Sequence, residues 1–260
     1  MKITILTLFP EMFDGFINNS IIKRAISKNI VSFNIVNFRN YSTDKHGRVD
    51  TPPIGGGAGL ILKCQPIVDC LNKVCSKNSY KILLSPKGTK YSQQKAHNLK
   101  ENQKEIVLIC GHYEGVDNRI SSYINEEISI GDFVLTGGEL GAMVIADSVI
   151  RLLDGTIADE SSKDESFENG LLEYPQYTEP YNFEGQKVPD ILFSGNHQAI
   201  QKWRRKQSLK ITRENRPDLF NKVILTKQDK NLINELDQNV DEPAWEIDAI
   251  EKGKKFKKEG

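Results

Sequence analysis

Residues 128–141 read Ile128-Ser129-Ile130-Gly131-Asp132-Phe133-Val134-Leu135-Thr136-Gly137-Gly138-Glu139-Leu140-Gly141. An earlier turn, Gly111-His112-Tyr113-Glu114-Gly115, has the same character, because in both stretches glycines follow an apolar run that is typical of a buried strand. Six of the 19 glycines of the chain fall between Gly111 and Gly141. Backbone without side chains at the end of a strand permits the close approach of another molecule. The two stretches therefore predict a binding site.

Strand-like and helical patterns alternate around these turns. Apolar runs at 2–8, 31–38, 80–84 and 105–110 predict strands, and apolar faces between them predict helices that begin near Pro66, Ser92 and Glu139. This alternation predicts an α/β fold with a mostly parallel sheet and helices on both faces. Ligands of such sheets bind at the carboxyl ends of strands. The glycine-bearing turns at 85–88, 111–115 and 131–138 therefore predict one pocket.

The remaining segments carry weaker patterns. Residues 39–60 show no hydrophobic periodicity of a helix or strand, which predicts a long irregular loop. Its glycines do not make a phosphate loop, because no lysine followed by serine or threonine comes after them. Residues 159–190 are acidic and polar and predict a linker between a first domain, 1–158, and a helical domain, 191–245. Residues 246–260 are charged and are expected to form a frayed tail.

The composition limits the classes of protein that the chain can represent. The 35 lysines and arginines balance the 35 aspartates and glutamates, so any nucleic acid must be bound by a local patch. The four cysteines form no CxxC pair, which favours free thiols in a reducing cytoplasm over a disulfide or metal site. No run reaches the roughly 18 apolar residues of a membrane span, and the first ten residues are typical of a strand and not of a signal peptide.

A local cationic patch follows in the helical region. Lys202-Trp203-Arg204-Arg205-Lys206 places four cations in five residues, and Lys210, Arg213 and Arg216 lie close by in the sequence. One reading is a set of contacts with RNA or DNA phosphates, made by Lys202, Arg204, Arg205, Lys206, Arg213 and Arg216. The other is a solvated helix face with Trp203 in the core. The pattern alone leaves both open.

Other candidate residues lie at the turns and in the linker. Ile130, Phe133, Val134 and Leu135, next to Gly137-Gly138, suit a flat adenine ring better than a phosphate. Glu114, between two glycines at a strand end, is a candidate for chemistry. By pattern alone Asp164 and Glu165 are ordinary linker acids, and Arg151 is either functional or a partner of its helix dipole.

Seven ordered blocks resemble the bacterial tRNA (guanine-N1)-methyltransferase family, TrmD type, of the knotted SPOUT superfamily. The resemblance covers roughly residues 1–225. This sequence departs from the family pattern at several positions, among them His112 and Glu179, where the family has arginine, and Gly141, where it has proline. The blocks are Thr7 to Phe13, Val49 to Gly59, Leu84 to Gly88, Cys110 to Asp117, Ile130 to Leu140, Gly170 to Thr178 and Leu192 to His197.

The resemblance implies a deep trefoil knot at the end of the first domain, which general topology rules would not have suggested. It implies a homodimer whose active site lies between one subunit's knot and the other's linker and C-terminal domain. It implies S-adenosylmethionine as methyl donor, magnesium as an assisting ion without assigned ligands, and tRNA, not DNA, as partner. The residues expected to hold the donor are Leu84, Ser85, Pro86, Gly111, Gly115, Ser129, Ile130, Gly131, Asp132, Phe133, Val134, Leu135, Gly137 and Gly138.

The reaction implied by the resemblance is methyl transfer to N1 of the guanine at tRNA position 37, 3′ of the anticodon. Guanine N1 carries a proton at neutral pH, so a carboxylate must act as general base. The resemblance assigns this role to Glu165, in place of the family's aspartate, with Asp164 as the alternative. Arg151 would stabilise charge on the guanine O6, and Glu114 is a further candidate. The alternative is an RNA-binding or ligand-sensing protein of the same fold with impaired catalysis.

Overall fold

The computed structural model describes residues 1–157, 165–238, 240 and 242–256. The chain divides into two compact units, Met1–Glu160 and Ser161–Gly260. The regular elements of the first unit are β1 (Lys2–Thr7), α1 (Asp14–Ile17), α2 (Ser20–Ser27), β2 (Ser32–Asn37), β3 (Asp50–Thr51), β4 (Ile61–Leu62), α3 (Cys64–Val74), β5 (Tyr80–Lys90), α4 (Gln93–Asn102), β6 (Glu105–Cys110), β7 (Glu126–Ser129) and α5 (Glu139–Ile150), with short 3₁₀ helices at Pro10–Phe13, Phe38–Tyr41 and Asn118–Tyr123.

Five strands form one parallel sheet in the order β2-β1-β6-β5-β7. Successive side chains of a strand point to opposite faces, and here both faces are apolar. In β6, Ile106 and Leu108 face a core shared with α2, α4 and α5, whereas Val107 and Ile109 face a second core shared with α3. The prediction of a mostly parallel sheet with helices on both faces is confirmed.

Strand β5 does not end at Leu84, where the apolar run stops. It continues to Lys90, and its pairing with β7 shifts register between Leu84 and Thr89. The predicted turn at 85–88 is therefore a bulge within a strand, which adds residues to one strand without ending the pairing. Ser92 caps the following helix, α4, by accepting from Lys95 N at 3.3 Å, as its position predicts.

The expected irregular loop at 39–60 contains a small hairpin. Strands β3 and β4 pair antiparallel, Asp50 with Leu62 and Thr51 with Ile61, and residues 52–60 connect them. We call residues 50–62 the glycine hairpin. Strands of two residues leave no periodicity in a sequence, which explains why the hairpin was not predicted.

The second unit is mostly helical. Its elements are β8 (Asn182–Phe183), β9 (Gln186–Lys187), a 3₁₀ helix (Asp190–Phe193), α6 (His197–Asn215), α7 (Pro217–Phe220), α8 (Lys227–Asp237) and α9 (Ala244–Phe256). Asn196 caps α6 by accepting from Ala199 N. Leu209 and Leu232 are fully buried in one small core, and Trp203 and Ala249 lie in another.

The expected frayed tail is wrong for most of its length, because residues 244–256 form α9. Ala249 is buried, and a Cβ at Gly253 would lie 2.5 Å from the carbonyl oxygen of Ser194. The buried face of α9 is thus made partly of small residues, which a search for apolar stripes does not detect. The C-terminal helices fit the predicted helical region, while the assigned domain boundaries and the knot stay predictions.

Candidate functional site

A cavity of about 270 Å³ opens at the carboxyl ends of β6 and β7 and at the bulge of β5, which lies between these two strands in the sheet. Its lining comes mainly from residues 83–87, 111–116, 127–131 and 133–138. The ends of β6 and β7 and the bulge of β5 are distant in the chain but adjacent in the sheet order, which brings these segments together. The position agrees with the general location of ligand sites in parallel α/β sheets.

The two glycine-rich loops lie directly against each other in this cavity wall. Gly138 N donates to Gly111 O at 2.9 Å, and His112 forms an isolated bridge with Gly137. A Cβ at Gly138 would lie 2.7 Å from the Cα of Cys110, which is closer than a real Cβ approaches backbone. Only glycine therefore allows this close packing of the loop on the end of β6.

A buried polar cluster fixes the base of the same loops. Glu139, the first residue of α5, is only 1% exposed and accepts from Thr7 Oγ1 at 2.6 Å. The His112 Nε2 lies 2.8 Å and 2.7 Å from the two Glu139 oxygens. The contact between His112 and Glu139 connects the turn after β6 to the start of α5, where the helix dipole favours a carboxylate. Burial, and then Glu139, raises the pKa of Cys110 well above its usual range, so this thiol stays protonated.

All residues predicted to hold the methyl donor line the cavity, with the exception of Asp132. The Asp132 carboxylate is exposed and lies 3.3 Å from Lys90 Nζ. Leu84, Ile130 and Leu135 supply apolar surface, and Gly111, Gly137 and Gly138 supply bare backbone. The lining is therefore suited to a ligand that combines a flat apolar ring with hydrogen-bonding edges. The role of each residue stays a prediction.

The predicted catalytic residues lie in different parts of the chain. Glu114 is exposed and lines the cavity. Arg151 directly follows α5 in the first unit and is half-buried. Glu165 belongs to the second unit, where it is half-buried at the start of a turn whose Glu168 N donates to Glu165 O at 3.3 Å. Asp164 lies outside the described residues.

Arg205, predicted to bind RNA, is paired with a carboxylate of its own unit. Its Nε and Nη2 donate to the two oxygens of Asp229 at 2.8 Å and 3.0 Å. Asp229 is buried and also caps α8 together with Thr226. Arg205, and to a lesser extent Thr226, lowers the pKa of Asp229 to about 2. Paired with one buried carboxylate, Arg205 has a structural role in this unit.

Lys202 and Lys206 lie around Glu235. Lys206 is only 3% exposed, its Nζ donates to Val240 O at 3.0 Å, and the same Nζ lies 3.4 Å from Glu235. Lys202 Nζ lies 4.1 Å from the ring centre of Trp245 and 3.8 Å from Glu235. Burial of Lys206 keeps its ammonium group away from a phosphate outside the unit.

The other predicted RNA-binding cations also have contacts within the second unit. Trp203 is buried, as the structural reading of the patch predicts. Lys210, on the same helix, is exposed. The contacts are Arg204 Cζ with the ring centre of Tyr174 at 4.7 Å, Arg213 with Asp237 at 2.6 Å, and Arg216 with Asp218 at 2.8 Å. RNA contact by these side chains stays a prediction.

Over the ranges that the structure describes, no group of three or more histidine, cysteine, aspartate or glutamate side chains could hold a metal ion. No set of magnesium ligands can therefore be named among these residues, and we derive no step through that ion. Within the same ranges, no helix is both long and apolar enough to cross a membrane.

Sequence reasoning missed the partnership of Thr7, His112 and Glu139. Two signals were present: Thr7 begins one of the family blocks, and Glu139 is an acid directly after two glycines at a helix start. What the sequence did not show is that β1 lies next to β6, which brings Thr7 to the loop that contains His112.

A parallel α/β sheet with a glycine-lined cavity at the ends of two strands and the bulge of a third defines a ligand-binding α/β protein with a helical C-terminal unit. Comparison with known proteins identifies the family. Residues 1–222 match the family described as tRNA (Guanine-1)-methyltransferase TrmD, so the chain belongs to this family.

Relatives named tRNA (guanine-N(1)-)-methyltransferase share about half of the residues of this chain. The Clostridium acetobutylicum protein is 52% identical over 237 residues, covering 90% of this chain and 97% of the relative. The Clostridium perfringens strain 13 protein is 51% identical over 235 residues, covering 90% and 99%. The Geobacillus kaustophilus protein is 52% identical over 239 residues, covering 90% and 98%.

Proposed function

We propose that this chain transfers a methyl group from S-adenosylmethionine to N1 of the guanine at tRNA position 37. The observation that carries the proposal is the cavity at the ends of β6 and β7 and the bulge of β5, because its lining includes all residues expected to hold the donor except Asp132. Membership of the family and the names of the relatives support the reaction. We propose the cytoplasm, where tRNA is modified, as its location.

The donor would occupy this cavity. Ile130, Phe133 and Leu135 would hold the adenine ring, and the bare backbone of Gly137 and Gly138 would approach its polar edge. When bound, S-adenosylmethionine supplies a methyl group already activated by its sulfonium. The protein therefore has to orient the donor and exclude water, and needs no further activation of the methyl carbon.

The acceptor has to be activated by side chains. Glu165 accepts the N1 proton of guanine, or Asp164 does so in its place. Arg151 donates to the guanine O6 and stabilises the negative charge that develops there as the proton leaves. Glu114, a carboxylate on the cavity wall, accepts from the 2-amino group and thereby orients the base, since an ionised carboxylate only accepts hydrogen bonds.

We further propose that the chain works as a homodimer. Phe9, Met12, Leu140 and Val144 are large apolar side chains of the first unit, and each is between 38% and 50% exposed. Leu140 and Val144 lie four residues apart and share a face of α5. Sedimentation should give twice the mass of the chain, and Leu140→Glu should produce monomers; an unchanged dimer would exclude this face.

The decisive experiment is incubation with labelled S-adenosylmethionine and two tRNA transcripts that differ only at position 37, guanine in one and adenine in the other. Mass spectrometry of the digested RNA should detect 1-methylguanosine only with the first transcript. Methylation of another nucleotide would reject position 37 as the target.

The same experiment separates catalysis from binding without reaction. A protein that binds the donor and tRNA but yields no methylated nucleoside would be the impaired RNA-binding or ligand-sensing alternative. Arg151→Ala tests the assigned mechanism, because it should reduce turnover strongly and leave donor affinity within about threefold. Full turnover of the Arg151→Ala enzyme would show that this residue has only a structural role at the end of α5.

A further inference from the structure

The glycine hairpin, residues 50–62, lies along the turn Gly111–Asp117, which we call the Glu114 turn. Leu62 N donates to Gly115 O at 2.9 Å, and Glu114 N donates to Leu60 O at 3.1 Å. A third backbone hydrogen bond joins Asp117 N to Leu62 O at 2.9 Å. The hairpin is thus fixed to a segment of the cavity wall, although the proposed reaction gives it no role.

A side-chain contact adds to this backbone pairing. Burial, and then a hydrogen bond to Asp50, raises the pKa of Tyr113, so its hydroxyl stays protonated and donates to that carboxylate. The base of the hairpin and its return strand therefore both contact the Glu114 turn. Rigid support of this kind determines where a neighbouring functional side chain is held.

Gly59 is the point at which the hairpin meets the side chain of Glu114. A Cβ built on Gly59 would lie 2.5 Å from Glu114 Cγ, 2.6 Å from Oε1 and 2.9 Å from Cδ. Such distances are far below ordinary van der Waals contact, so Glu114 occupies the space that any other residue at position 59 would fill. The φ angle of Gly59 is +79°, which also favours glycine.

We propose that Gly59 is a positioning residue, whose missing side chain provides the space in which the Glu114 carboxylate is held at the cavity. The inference rests on the proposed function, because it assigns Gly59 an effect on methyl transfer through Glu114. The three atoms nearest to a Cβ at position 59 all belong to the flexible side chain of Glu114. An alanine there would displace this carboxylate without opening the fold.

Gly56 provides a matched control in the same hairpin. Its φ of +88° is similar, and a Cβ built on it has nothing within 4 Å. Gly56→Ala therefore introduces the same unfavourable backbone conformation without touching Glu114. The difference between Gly59→Ala and Gly56→Ala isolates the displacement of the carboxylate from the strain of an alanine in the left-handed region.

The test is a double-mutant cycle on turnover, with Gly59→Ala, Glu114→Ala and the combination of both. Misplacing a substrate-positioning group by about 1 Å can reduce turnover roughly 100-fold. Gly59→Ala should reduce kcat by a factor of that order, similar to Glu114→Ala, with the KM for the methyl donor within about threefold. In the Glu114→Ala background, Gly59→Ala should have no larger effect than Gly56→Ala has there.

An effect of Gly59→Ala that is equally large with and without Glu114 would overturn the inference, and so would a kcat equal to that of Gly56→Ala. Crystal structures of the two glycine variants give a readout that does not depend on activity: the Glu114 carboxylate should move by about 1 Å or more in Gly59→Ala only. If it stays in place, the inference fails. If it moves but the wild-type protein methylates no guanine, the proposed function fails instead.

Discussion

Arg205 provides a test of the two interpretations of the cationic patch. Its pairing lowers the pKa of Asp229 from 3.8 to about 2, with the hydrogen bonds from Arg205 as the largest cause. One pKa unit corresponds to about 1.4 kcal/mol, so this shift represents about 2 kcal/mol of folding free energy. Asp229 is 1% exposed, so solvent screening does not weaken the pair much. Arg205→Met should therefore destabilise the protein by up to about 2 kcal/mol, because Thr226 supplies part of the shift and remains.

The loss should be visible in thermal unfolding at neutral pH. For a chain of this size, about 2 kcal/mol corresponds to a decrease in Tm of roughly 4–8 °C. The sign of the pH dependence follows from the lowered pKa: the contribution is complete above the unfolded value of 3.8 and is lost as the pH falls through about 2. The difference in stability between wild type and Arg205→Met should therefore shrink as the pH decreases through this window.

RNA binding provides the second half of the test. A cation that contacts a phosphate contributes about one unit to the slope of log K against log salt. Lys210→Met, on the exposed side of the same helix, is the matched control and should leave Tm unchanged. Arg205→Met should lower Tm and leave the salt slope unchanged in the protein that stays folded. An unchanged Tm together with a reduced salt slope would refute the structural reading of Arg205.

Three further predictions concern the site and the C-terminal helix. Glu165→Gln should abolish methyl transfer while calorimetry still shows S-adenosylmethionine binding; full activity would point to the neighbouring Asp164 as the base. Gly138→Ala should cost about 1–3 kcal/mol of stability and weaken donor binding, because its Cβ would meet the backbone of β6, whereas Gly15→Ala has open space and serves as control in unfolding and binding assays. Burial raises the pKa of Glu246 from 4.5 in the unfolded chain to about 7 in the folded protein. The protonated carboxyl group therefore contributes its full stabilisation below about pH 4.5, and this contribution is lost as the pH rises through about 7. Glu246→Gln should thus increase the free energy of unfolding by up to about 3 kcal/mol at about pH 8, measured as a higher Tm, and have little effect at about pH 5. Equal effects at both pH values would contradict this assignment.

Much of the sheet could be predicted from the sequence because β1, β6 and the first half of β5 are short apolar runs whose side chains are buried on both faces. The location of the cavity followed from the glycines after those runs, since side chains are excluded where backbone segments meet. Gly138 shows the physical reason, because its Cα packs on the end of β6. Periodicity and glycine spacing are local properties, and a single chain displays them directly.

The remaining features depend on contacts between distant parts of the chain. Arg205 and Asp229 lie 24 residues apart, and nothing in either segment indicates that they form a pair. The same is true of Thr7 and Glu139, which lie 132 residues apart. The sequence therefore allowed two interpretations of the patch at 202–206, because cations that bind phosphate and cations that pair with buried acids have the same local pattern.

The strand order of the sheet also has a consequence for how the chain is made. Strand β1 leaves the ribosome first, and β2 follows it closely enough to pair early. Its other neighbour, β6, is about 100 residues further on, as the pair Lys2 and Glu105 illustrates with a separation of 103. Joining β1 to β6 requires closure of a long loop, which is slow compared with local pairing. During translation, the first two strands must therefore wait with an unpaired edge, a stage at which nascent-chain chaperones would have the most to protect.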